Sequence, residues 1–142
     1  RQLCSILFSE TAAHRCVLSP RPIPSLGSGT RATSCPRDWL YYQGHCYGFF
    51  PEEKTWSDAE VECLYHRRGA HLASILNKAE GDTVANYITM SGYEDTVWIG
   101  LHDSCQTRRW KWTDGSIYRY SAWKTGEPYN LNNNEFCVEL LL

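Results

Sequence analysis

The sequence predicts an α+β fold. Three observations carry that expectation: an aromatic hairpin signal near residue 40, two amphipathic segments that open on N-cap residues, and short apolar or alternating runs from Val97 onward. The order strand, helix, helix, strands has no regular βαβ alternation and no internal repeat. With 142 residues the chain is one domain's worth of sequence, large enough to bury a core of its own.

Residues 1–34 read as a linker-like or disordered segment. Ser19-Pro20-Arg21-Pro22-Ile23-Pro24-Ser25 and the glycines that follow block both helix and ladder. Leu3 to Phe8 is weakly apolar, but it lacks the apolar length and cleavage pattern of a signal peptide. From residue 35 the signals sharpen. Trp39 to Tyr42 and Cys46 to Phe50 read as strands around Gln43-Gly44-His45, with Cys35 and Cys46 flanking the pair. Thr55 and Asp58 form a capping box, and Trp56, Ala59 and Cys63 then share one helical face up to the stop at Gly69. Asn77 with Glu80 opens a second helix that turns Val84, Tyr87 and Ile88 inward and ends near Gly92. Val97 to Leu101 suits a buried strand. Trp110-Lys111-Trp112 alternates before the Thr113-Asp114-Gly115 turn, placing Trp98 and Trp110 in the core and Lys111 outside. A loop from Trp123 to the Asn run 132–134 leads into a last strand, Phe136 to Leu140.

Composition removes several function classes. Fourteen Lys and Arg against sixteen Asp and Glu leave a net charge of −2, without the basic excess of a nucleic-acid module. No apolar run has the length of a membrane span. Seven cysteines in a small domain point to a secreted, oxidised protein, and an odd count leaves at least one thiol unpaired within the chain. His102-Asp103-Ser104-Cys105 is a polar loop after a strand; it has no second Cys/His pair at zinc-ligand spacing and no nucleophile–base arrangement, so an enzyme is not expected. Arg at position 1 and a single Met, at position 90, point to a processed or incomplete product.

Set in order, the segments from Cys35 to Leu142 resemble the C-type lectin domain, most closely compact secreted lectins such as the regenerating proteins and snake-venom lectins. The matching residues are Cys35-Pro36 with Trp39, Cys46-Tyr47, Trp56 to Glu60 through Cys63, Gly69 to Ile75, Trp98 to Leu101, Trp110 to Gly115, Glu127-Pro128, and Glu135 to Leu140. The resemblance implies two helices packed on small antiparallel sheets with a long ligand loop, and a Cys35–Cys46 disulfide. It implies a secreted, calcium-dependent glycan binder, with a lectin-like binder of protein or mineral surfaces, independent of calcium and sugar, as the alternative.

In this family a calcium ion sits in the loop before the last strand, held by several hard oxygen donors at once. The donors implied here are Glu127, Asn130 and Glu135. Glu127-Pro128 leans toward mannose-like over galactose-like sugars, yet Tyr129 stands where the family places an asparagine. The plain alternative is a solvated, Asn-rich turn. Asp103 matches an accessory calcium position whose other carboxylates are replaced by Thr107 and Phe136. The resemblance also implies that residues 35–142 are an incomplete domain, missing its last strands. The family's Trp-Asn-Asp segment and the cysteines that pair with Cys63 and Cys137 would follow Leu142. Calcium is therefore expected to bind weakly or not at all, and the strand edge at Phe136–Leu140 to invite association. Cys4, Cys16, Cys63, Cys105 and Cys137 have no assignable partner, which leaves a disulfide-linked oligomer open.

Overall fold

The computed structural model describes residues 1–7, 35–128 and 135–142. In chain order the elements are β1 (Gln2–Leu7), β2 (Leu40–Tyr42), β3 (His45–Phe50), α1 (Trp56–His66), β4 (His71–Leu72), α2 (Lys78–Thr89), β5 (Val97–His102), β6 (Lys111–Trp112) and β7 (Cys137–Leu140). They form two helices and two small antiparallel groups of strands. β2, β3 and β1, with β4 on β1, make one group, and β5 with β6 and β7 makes the other. A single parallel contact, Gln2 opposite Trp98, joins them.

Local chemistry accounts for the hairpin and both helices. Gln43 and Gly44 both take positive φ, 44° and 83°, the requirement of a tight turn that matches strand twist. The Thr55 hydroxyl accepts from the Asp58 amide at 3.1 Å and donates to the Asp58 carboxylate at 2.8 Å, closing the first turn of α1. Ala59 and Cys63 are its buried face. Asn77 Oδ1 accepts from the Glu80 amide at 2.9 Å and starts α2, which buries Val84 and Ile88. Glu80 itself is buried: its carboxylate accepts from the Tyr47 hydroxyl and from the Leu76 amide.

The N-terminus differs from the sequence reading. Residues 2–7, assigned there to the linker-like segment, form β1 in the middle of the fold, while residues 8–34 lie outside the described residues. All six residues of β1 pair antiparallel with β3, from Gln2 opposite Phe50 to Leu7 opposite His45, and Cys4 lies opposite Leu72. Alternation sends Leu3 into one buried cluster, with Tyr47, Val84, Ile88, Val97 and Trp112, and Cys4 into another, with Ala59, Cys63, Ala70 and Leu72. A short apolar run that is too weak for a leader is thus long enough for a strand buried on both faces. Arg1 anchors its start, with its guanidinium 2.6 Å from Asp95 and 2.9 Å from Glu53.

Among the described residues there are two disulfides, Cys35–Cys46 and Cys4–Cys63. The second supplies the partner that the sequence reading could not assign to Cys4 or to Cys63. β1 lies against the buried face of α1, so the two sulfurs meet across 59 residues of sequence. Cys105 and Cys137 are free and exposed, and Cys16 lies outside the described residues. No helix among the described residues is long and apolar enough to cross a membrane.

Candidate functional site

β5 ends in a loop that Asp103 organises. Its carboxylate oxygens accept from the Thr107 and Arg108 amides at 3.2 and 2.6 Å, and the side chain is buried. Asp103, which matches an accessory calcium position in sequence, is here the staple of its own turn. After β6, Asp114 accepts from the Ser74 hydroxyl at 2.6 Å and the Ser116 amide at 2.8 Å, turning the chain into a loop rich in aromatic residues. Along that loop Ile117 and Arg119 are exposed, while Tyr118 and Tyr120 are half-buried.

Rings then pack from both ends of the loop. Trp110 and Trp123 lie 5.1 Å apart at 53°, Trp112 contacts Tyr118 edge-on, and Trp123 Nε1 donates to the Tyr118 hydroxyl at 3.1 Å. The Glu127 amide donates to the Lys124 carbonyl at 2.9 Å, and the Glu127–Pro128 peptide is cis. The chain re-enters at Glu135 and runs into β7, which pairs with β5.

These segments enclose a cleft of about 630 Å³ between α2, the strands β5 and β7, and the aromatic loop. Glu127, Pro128 and Glu135 lie on its wall. The structure therefore brings together two of the three residues singled out from sequence, and Asn130 lies outside the described residues, as does Tyr129. Carboxylate oxygens are the right donors for calcium, but two such residues fall short of the 6–8 oxygens it takes. Among the described residues no group of three or more His, Cys, Asp or Glu is placed to hold a metal ion. They do not by themselves make a calcium site.

The sequence reading missed most of the cleft. Trp112 is the buried tryptophan of the 110–112 run, whereas Trp98 and Trp110, expected in the core, are half-buried and line the cleft. Tyr118, Tyr120 and Trp123 were not singled out, although their spacing of two and three residues was visible.

Comparison with known proteins decides the family. The profile of the Lectin C-type domain matches residues 52–141. The chain belongs to the C-type lectin domain family. A C-type lectin of Micrurus corallinus is 47% identical over 115 residues, covering 80% of this chain and 73% of its own length. Regenerating islet-derived protein 4 of Homo sapiens is 43% identical over 117 residues, covering 81% and 71%. Among solved structures, human lithostathine at 1.3 Å resolution superposes with a TM-score of 0.73 at 37% identity, covering 83% of this chain and 81% of its own. Two further similar lectins are a mannose-binding isoform from Oxyuranus scutellatus, 45% identical over 75% of this chain and 68% of its own length, and a galactose-binding isoform from Hoplocephalus stephensii, 41% identical over 80% and 73%. Carbohydrate-binding lectins are thus among the proteins this chain is similar to.

Proposed function

We propose that this lectin domain is secreted and binds glycans non-covalently at the loop that carries Glu127, Asn130 and Glu135. One observation carries the reading: Glu127 and Glu135, eight residues apart in sequence, both line one aromatic-lined cleft. Carboxylates accept hydrogen bonds from sugar hydroxyls, and ring faces suit the apolar faces of sugars. Two disulfides fit an oxidising compartment.

Calcium dependence belongs to the same proposal. The ion would be held through Glu127, Asn130 and Glu135, and three residues against 6–8 oxygens make that hold weak. Glu127-Pro128 favours mannose-like over galactose-like ligands. Glycan-array binding with and without a chelator tests the reading, with mannose-terminated glycans expected above galactose-terminated ones. Tight binding to a protein or mineral surface, insensitive to chelator and sugar, would overturn it in favour of the lectin-like alternative. The melting temperature is expected to stay constant at millimolar calcium; a clear rise would sink the weak-site reading.

A further inference from the structure

The first helix, α1, buries one face and leaves a second apolar face open. Ala59 and Cys63 are buried in the Cys4 cluster, with Trp56 packed against it. On the other side Val61, Leu64 and Tyr65 are exposed to 49%, 45% and 85%. Their spacing of three and four residues places them on one stripe of the helix. None of the three packs against either buried cluster. Other large apolar side chains exposed among the described residues, such as Met90 and Ile117, stand singly. The ends of the stripe carry opposite charge. Asp58 and the positive helix N-terminus dipole lie at one end, and Arg67 and Arg68, both exposed, follow His66 at the other. Glu62, between them in sequence, is met within the chain by Lys54 at 2.6 Å and His66 at 3.3 Å.

We propose that this stripe is a self-pairing surface, on which α1 of a second copy of this chain packs antiparallel across a two-fold axis. The charge pattern selects that direction. With the axis near the middle of the helix, Val61 of each copy meets Leu64 and Tyr65 of the other. The same operation sets Ser57 and Asp58 beside Arg67 and Arg68 of the other copy, acid against base at both ends. A parallel pair would bring the two basic ends together and align the helix dipoles. Three apolar side chains and a few charges from each copy are far fewer than the roughly 20–30 residues a side of a standard interface, so this dimer is weak and exchanges readily. No residue of α1 lines the cleft between α2 and the aromatic loop, so the pairing draws on nothing in it.

Sedimentation equilibrium of the full chain tests the pairing, with Cys16, Cys105 and Cys137 changed to serine so that covalent oligomers do not form. A monomer–dimer equilibrium is expected between about 10 μM and 1 mM, the range of weak association, and higher salt is expected to weaken it. Tyr65→Glu and Leu64→Glu each place an unpaired charge in the middle of the stripe in both copies. Each is expected to weaken the dimer at least about tenfold. Tyr65 is 85% exposed, so the Tyr65→Glu melting temperature is expected to stay at the starting value. Ser57→Glu adds an acid opposite the basic end of the other copy, twice per dimer, and is expected to tighten pairing by about two- to tenfold. A monomer at every concentration overturns the proposal and leaves the stripe to a partner of another kind. A dimer unchanged by both Tyr65→Glu and Leu64→Glu overturns it by placing the interface elsewhere. A dimer that Ser57→Glu weakens overturns the antiparallel arrangement.

Discussion

A buried carboxylate needs donors, and Glu80 receives them from two directions, the Tyr47 hydroxyl and the Leu76 amide. Tyr47→Phe removes one of the two and leaves the carboxylate in place. A loss of about 1–3 kcal/mol is expected in urea denaturation, the usual cost of stranding a buried polar group. The same contact makes stability depend on pH. Burial first, and the hydrogen bond to Glu80 second, push the Tyr47 phenol well above its usual value of 10. The folded state thus holds this proton at pH values where the unfolded chain releases it. The stabilisation is complete below about pH 10 and falls as the pH rises further. Burial raises the Tyr87 and Tyr93 phenols in the same sense. Denaturation midpoints measured between about pH 8 and 11 are expected to drop on the alkaline side, less steeply in Tyr47→Phe; a flat profile would contradict this.

At the scale of the elements, β5 tolerates little change at Gly100. A methyl group there would meet the Leu72 carbonyl and the Thr113 hydroxyl, both at 2.5 Å, and these two atoms already bond to each other at 3.2 Å. Gly100→Ala is expected to cost about 1–3 kcal/mol as overpacking, read as a lower melting temperature; an unchanged one would mean the strand shifts freely. Elements whose cause is local were legible in the sequence. Thr55 and Asn77 announce α1 and α2 because a cap is decided by the next three residues. β1 was not legible. Its partners are β3, β4 and the start of β5, and no periodicity within Gln2–Leu7 points to strands so distant in sequence. The candidate site divides in the same way. Glu127 and Glu135 stood out because a family motif surrounds them, whereas the cleft arises only when α2 packs opposite residues 118–124.

At the scale of the whole molecule, the Cys4–Cys63 bridge ties the N-terminal strand to the first helix. Closing a loop across a separation of 59 residues removes unfolded-chain entropy worth about 4 kcal/mol in the chain-entropy account. Cys4→Ser is expected to lower the melting temperature by many degrees, and a drop of only a degree or two would show that packing alone holds β1. Among the described residues Cys105 and Cys137 are the exposed free thiols. Oxidised protein is expected to show disulfide-linked oligomers on a non-reducing gel, which disappear when both residues are changed to serine; oligomers that survive the double change would point to Cys16 or to reshuffling. The position of β1 also sets an order of events during synthesis. β1 is made before every strand it pairs with, and its slot is complete only after His102 has been added, about 5–20 s later at ordinary translation rates. Through that interval Leu3 and Cys4 have no finished core to enter. β1 therefore waits for partners that are all made after it, and the growing chain carries the apolar Leu3 and the thiol of Cys4 unsatisfied until β5 arrives.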